Sequence, residues 1–369
     1  MIPYKIGDWE NIKETILENI QKSLVDWFEK NHRKLPWRET KNPYLIWVSE
    51  VMLQQTRVDT VIPYFHKFIE VFPSLQSLAE ADEEDVLRIW AGLGYYSRAR
   101  NLHRGAKVVQ DNYGGTIPES LKELLKIPGI GTYTAGAILS IAYGKPVPAV
   151  DGNVMRVFSR LFIVEKDISE NSTKKEMEKI AERVVSHRNP SAFNQGLMEL
   201  GAMICTPIEP KCTLCPLEHQ CGAREHSLQS GLPFKKKKQP IKKVEMELAL
   251  LTKGDRILLV KRPSEGLLAN LWALPAVAKA ALDPGKTLEL ELKENYGIES
   301  IKKRYIFEKK HIFTHMQWRM KLYAVELVSF SEIEYPEVQW VLLEELDDYP
   351  IGTAFKKVLK AIEPKDLIV

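Results

Sequence analysis

Two carboxylates and four cysteines stand out in this chain as residues that could do chemistry. Asp151 lies in VPAVDGNVMRVFSRL, after an apolar Pro-Ala-Val and before the helical pattern Val154, Val157, Phe158, Leu161. That placement predicts a helix N-cap. A carboxylate there is held by the helix dipole and expected to stay ionised, with Gly152 leaving space beside it. Such an anion could stabilise a developing sugar cation on a bound nucleic acid. Glu50 lies in NPYLIWVSEVMLQQTRV, off the core stripe Tyr44, Trp47, Val48, Val51, Met52. It shares the other face with Leu53, Gln54 and Arg57. In a pocket its pKa would rise and make it a general acid. A surface glutamate paired with Arg57 or Gln54 is the plainer reading.

All four cysteines, Cys205, Cys212, Cys215 and Cys221, fall in seventeen residues with the spacing C-x6-C-x2-C-x5-C. The chain opens without a basic region followed by an apolar run, which predicts a cytoplasmic protein, nucleoid-associated if bacterial. Clustered cysteines in a reducing compartment hold metal more often than they form disulfides. Zinc sites usually pair two separated short knuckles. Four thiolates crowded in one proline-stiffened loop fit a [4Fe-4S] cluster better, with zinc or structural thiols as the alternatives.

A phosphate grip accompanies these residues. In LLKIPGIGTYTAGAI, Leu124, Leu125 and Ile127 are expected to end one helix. Pro128-Gly129-Ile130-Gly131 would turn the chain, and Thr132 would start a second helix. Glycines admit a close partner and helix-start amides attract anions, so a DNA phosphate is the expected ligand. An ordinary αα-hairpin is the plainer alternative.

The elements that must position these groups divide into two parts. The apolar spacing is helical up to the linker GLPFKKKKQPIKK, which carries six lysines and two prolines and is expected to be exposed. The lysine run reads equally as a solubilising tether or as a DNA-tracking segment. Beyond it, VEMELALLTKGDRILLVKRP alternates and turns at Lys-Gly-Asp, predicting a β-hairpin. The expected architecture is multidomain: an all-α region over 1–230, with a helix-hairpin-helix at 124–138 and the cysteine loop at 205–221. A basic linker at 231–243 and an α+β domain over 244–369 complete it. No apolar stretch is long enough to span a membrane. Net charge of +3 is too small to argue for nucleic acid by itself, so local placement must decide.

The PGIG turn, Asp151 eighteen residues beyond Tyr133, and the cysteine spacing together resemble the helix-hairpin-helix DNA glycosylases that carry an iron–sulfur cluster. The bifunctional endonuclease III branch has a Schiff-base lysine where this chain has Tyr133, so the resemblance implies a monofunctional enzyme. Further details resemble the MutY-type adenine DNA glycosylases, with Glu50 as the acidic residue of the matching helix. Gln54 and Gln55 match residues that enter the gap around the extruded base. Arg33, Leu35, Trp37 and Arg38 match the segment around the adenine pocket, and Tyr95 in GLGYYSRARNL matches a wedge beside the lesion base.

The C-terminal part resembles a Nudix fold that has lost its metal-binding pattern. Ala276, Leu282, Leu290 and Asn295 replace motif residues, and only Glu291 and Glu294 survive. In the family this domain senses 8-oxoguanine through a Phe-Ser-His stretch, matched here by Phe313, Thr314 and His315. Strand residues filling a small core are the plainer reading for Phe313 and His315.

The resemblance implies a monomer that removes adenine paired with 8-oxoguanine or guanine in double-stranded DNA. Glu50 would donate a proton to N7, Asp151 would stabilise the sugar cation, and Asn153 and Tyr133 would orient Asp151 and water. Two alternatives stay open: an endonuclease III-like lyase acting on oxidised pyrimidines, and a non-catalytic lesion binder.

Overall fold

The computed structural model describes residues 9–236, 240–279, 287–330 and 337–367. The helices up to the linker run in chain order α1 (Glu14–Asn31), α2 (Pro43–Leu53), α3 (Val58–Val71), α4 (Leu75–Glu80), α5 (Glu83–Trp90) and α6 (Ser97–Tyr113). They continue as α7 (Leu121–Leu124), α8 (Thr132–Ile141), α9 (Gly152–Phe162), α10 (Asn171–Val184), α11 (Pro190–Met203) and α12 (Gly222–Glu225). The chain packs into two compact units. One comprises residues 1–80 and 101–238; the other comprises 81–100 and 239–369. The α5 segment therefore packs with the C-terminal part of the sequence.

The first unit is built on amphipathic spacing. Tyr44, Trp47, Val48, Val51 and Met52 all bury one face of α2. Residues of α9 that repeat every three or four positions, Val154, Val157, Phe158 and Leu161, join α1, α10 and α11 in a single core. Two glycines are required by geometry. Gly129 has φ +81°, which a side chain rarely adopts. A Cβ on Gly136 would stand 1.9 Å from the Pro148 carbonyl oxygen, so α8 and the strap before Asp151 approach only because this residue is glycine.

In the second unit, β1 (Lys242–Leu250), β2 (Thr252–Lys253), β3 (Arg256–Lys261), β4 (Trp272–Ala273) and β5 (Ala276–Lys279) precede α13 (Leu288–Tyr296). β6 (Ile298–Ile312), β7 (Met316–Phe330), β8 (Val338–Leu342) and α14 (Thr353–Leu359) complete the unit. One sheet has the order β5-β1-β7-β6, with β1 and β7 parallel; β3 pairs β2, β4 and β8 in the other.

The hairpin expected from Val244 to Lys261 is only partly formed. The chain does turn at Gly254, and Leu251, Thr252 and Lys253 bond to β3, but β1 belongs to the other sheet. Both edges of β1 are taken by β5 and β7, and both its faces are covered: Met246, Leu248 and Leu250 enter one core while Ala249 and Leu251 enter a second. Among its described residues the lysine-rich linker is mostly exposed, as expected, with one exception: Leu232 is buried and its carbonyl accepts from Arg160 Nε at 2.9 Å, while the exposed Lys236 pairs with Glu170. Arg160, buried itself, requires such acceptors. Leu282 of the Nudix comparison lies outside the described residues.

Candidate active site

A cleft of about 770 Å³ in the first unit is lined by Glu50 on α2, Tyr133 on α8, and Asp151 and Asn153 at the start of α9. Glu50 is 5 % exposed, so the surface-glutamate reading fails. α2 ends at Leu53 because Gln55 takes a left-handed backbone, φ 58°. Arg57 therefore caps α3 and does not share the helical face of Glu50. Glu50 instead accepts a hydrogen bond from the Tyr133 hydroxyl, which also lies 3.3 Å from Met198 Sδ.

Asp151 is the N-cap of α9: Oδ1 accepts from the Val154 amide and Oδ2 from Asn153 Nδ2, each at 2.8 Å. Arg156 Nη2 donates to Asn153 Oδ1 at 2.9 Å, which fixes the amide so that its NH₂ faces Asp151.

These surroundings set the charge states. Burial raises Glu50 to about 7, against the Tyr133 hydrogen bond and with the charge of Asp151 adding to the rise. Asp151 also shifts upward. Burial lifts it above the ordinary aspartate value, and the Val154 and Asn153 bonds only partly oppose that. Two carboxyls with unlike environments beside one cleft suit one proton donor and one anion.

Arg33, Leu35, Trp37 and Arg38 form one wall of the cleft. Leu35 and Trp37 are buried, and Trp37 packs edge-on against Phe65 at 5.4 Å. The two arginines meet a residue that the sequence reading passed over. Glu199 on α11 is 1 % exposed and accepts from Arg33 N, Nε and Nη2 at 2.9, 2.9 and 2.7 Å, and from Arg38 Nη2 at 2.9 Å. Burial pushes Glu199 up, but these charge-assisted bonds prevail and hold it at about 2. A lone glutamate between the buried Leu197 and Leu200 was the available signal, since such a charge needs partners.

Leu53, Gln54 and Gln55 line the cleft, and Gln54 Nε2 is 3.4 Å from Thr134 Oγ1. Gly129 and Gly131 line it too, with Gly131 exposed as the N-cap of α8; Pro128 stands just outside. The helix before the turn is a single turn, α7, and Leu125 is 43 % exposed beyond its end.

The four cysteines line one small pocket with Arg160, Ile204, Pro210 and Gln229. Arg160 Nη1 lies 3.4 Å from Cys205 Sγ. Burial, with repulsion from the neighbouring thiolates, raises Cys215 to about 12 and Cys221 to about 11, so four thiolates here call for a compensating cationic group. Among the described residues no three His, Cys, Asp or Glu side chains converge on a single metal ion. Thiolates that each bind a different iron at the corners of a cube stand farther apart than the ligands of one ion.

The remaining predicted residues lie in the second unit. Phe313, Thr314 and His315 form the turn between β6 and β7, not a strand. Phe313 packs edge-on against His311 and Trp318 at 4.5 and 4.9 Å, while Thr314 and His315 are exposed. Tyr95 is 43 % exposed, and its hydroxyl is 2.9 Å from that of Thr314.

Two family models match successive stretches of the chain. Residues 48–185 match the HhH-GPD superfamily base excision DNA repair protein model, and residues 247–361 match the NUDIX domain. The adenine DNA glycosylase of Homo sapiens is 35% identical over 402 residues, 92% of this chain and 73% of that protein. That of Buchnera aphidicola subsp. Schizaphis graminum is 33% identical over 340 residues, 91% of this chain and 96% of that protein. A thermostable thymine-DNA glycosylase structure aligns with TM-score 0.53 and 30% identity, covering 57% of this chain and 98% of that one. An endonuclease III trapped on DNA aligns with TM-score 0.50 and 24% identity over 59% of this chain and 99% of that one, a likeness of fold alone. With identity running through both the helical and the Nudix-like parts, this chain belongs to the adenine DNA glycosylase family.

Proposed function

We propose that the protein hydrolyses the N-glycosidic bond of adenine in double-stranded DNA, where adenine lies opposite 8-oxoguanine or guanine. The observation that carries this reading is Glu50: a buried carboxyl with a pKa of about 7, hydrogen-bonded to Tyr133 beside the Asp151 carboxylate. Adenine inside a duplex is out of reach and must be extruded into the cleft. Leu35 and Trp37 offer it apolar surface, while Arg33 and Arg38, fixed by Glu199, offer donors. Protonated Glu50 gives its proton to N7, and the C1′–N9 bond breaks with its electron pair leaving on adenine. Asp151 stabilises the positive charge left on the sugar, and Asn153 holds it in place. Water adds to C1′ and loses its proton to Glu50.

Tyr133 supplies no amine for a Schiff base, and its hydroxyl is bound to Glu50, which favours hydrolysis without strand cleavage. The Gly129–Gly131 turn and the exposed start of α8 grip a backbone phosphate. Cys205, Cys212, Cys215 and Cys221 would hold a [4Fe-4S] cluster that would tie the loop into shape, with the positive charge of Arg160 alongside. Tyr95, Phe313, Thr314 and His315 face the base opposite adenine.

The test is single-turnover excision on duplexes carrying A:8-oxoguanine, A:G or thymine glycol, with and without alkali. Alkali-dependent breaks on A:8-oxoguanine are expected. Alkali-independent breaks on thymine glycol would replace this reading with a lyase.

A further inference from the structure

Lys261 and Trp272 are register partners across β3 and β4, and their side chains converge on Glu84 of α5. Lys261 Nζ lies 2.6 Å from Glu84 Oε2, and Trp272 Nε1 donates to Oε1 at 2.6 Å. Next to them, Asn270 Nδ2 donates to Glu83 Oε1 at 2.6 Å. Trp272 is 2 % exposed, so its N–H has little access to water and depends on this carboxylate.

The chain leaves α5 through a stiff turn. Gly92, Gly94 and Tyr95 all have left-handed backbones, with φ of 102°, 77° and 50°. The Gly94 carbonyl accepts from both Trp90 Nε1 and Arg98 Nη2 at 3.1 Å. Displacing α5 on the sheet therefore displaces Tyr95, whose hydroxyl meets that of Thr314 at 2.9 Å.

We propose that Glu84 is a positioning residue for recognition of the base opposite adenine. By fixing α5 on the β3–β4 pair, it sets the Gly92–Tyr95 turn so that Tyr95 and Thr314 present their hydroxyls together. This rests on the reading that these two residues face that base.

Single-turnover excision on A:8-oxoguanine and A:G duplexes, in wild type, Glu84→Ala, Glu84→Gln, Thr314→Val and the Glu84→Ala/Thr314→Val double variant, tests it. Glu84→Ala lowers the 8-oxoguanine-to-guanine rate ratio about tenfold, because small misplacements of a contacting group are costly. Glu84→Gln keeps an acceptor for the Trp272 N–H and recovers most of the ratio. The double variant loses no more than the larger single loss, since both changes break one path. Should Glu84→Ala not fold, Lys261→Met carries the same prediction. An unchanged ratio with both rates lowered alike would make Glu84 merely structural, and additive losses in the double variant would sever it from Thr314. A wild-type ratio of one is a different failure, in which the opposite-base reading itself falls and Glu84 with it.

Discussion

Replacing Glu50 with Gln should stabilise the protein in a pH-dependent way while abolishing base excision. The carboxyl rises from an ordinary 4.5 to about 7 on folding, mainly because burial disfavours its charged form. Between those values the folded chain holds a proton that the unfolded chain has released, so stability falls as pH rises through this window. The shift is about 2.5 units, which corresponds to roughly 3 kcal/mol lost by pH 8. Gln has the same shape and cannot ionise. At pH 5 the two proteins should differ little; at pH 8 the variant should be the more stable by up to about 3 kcal/mol. Urea unfolding of both proteins from pH 5 to 8.5, with slopes checked for constancy, measures the difference. A gap that does not widen by at least about 1 kcal/mol with pH would refute the buried-acid argument. The wild-type single-turnover rate should in turn fall as pH rises through about 7, as Glu50 loses the proton it must donate.

Asp151→Asn keeps an N-cap, so the fold and duplex binding should survive while excision falls by roughly 10²–10³-fold or more. Lost excision with retained binding rules out the non-catalytic binder; loss of binding together with excision would contradict the electrostatic role, and unchanged excision would remove Asp151 from the chemistry. Glu199→Gln should cost about 3 kcal/mol by leaving Arg38 and Arg33 without their shared anion, read by urea unfolding at pH 7. Because Glu199 titrates at about 2, that wild-type advantage is present above about pH 4.5 and fades as pH falls toward 2. Cys212→Ser should lower the iron and inorganic sulfide content per chain and weaken duplex binding more than excision by bound enzyme. Full metal content in that variant would remove Cys212 from the ligand set.

Much of the site could be read from local spacing. Glu50 stands out as the one charged residue within the apolar run of α2, and Asp151 because an acidic residue precedes an apolar helical pattern. The cysteine loop and the Gly129–Gly131 turn are compact in sequence. What stayed hidden depends on distant partners. Glu199 meets Arg33 and Arg38 across 166 and 161 residues, and no local period encodes that. The rise of Asp151 likewise follows from how deeply the cleft buries it, whereas helix position alone predicts the reverse. The break between β1 and β2 was obscured because Val244, Met246, Leu248 and Leu250 alternate cleanly into the turn, as one continuous hairpin strand would. The docking of Leu232 was masked by the lysines around it, since composition reports solvation and not the needs of a buried arginine.

The packing of α5 also constrains the order of events on the ribosome. Glu84 and Tyr95 emerge early, but Lys261 and Thr314 lie 177 and 219 residues further along. At typical translation rates of about 5–20 residues per second, the segment waits on the order of 10–40 s for its partners. During that interval the Glu84 carboxylate lacks both the Lys261 ammonium and the Trp272 N–H, so α5 is held by its local contacts alone until β3 and β4 are made.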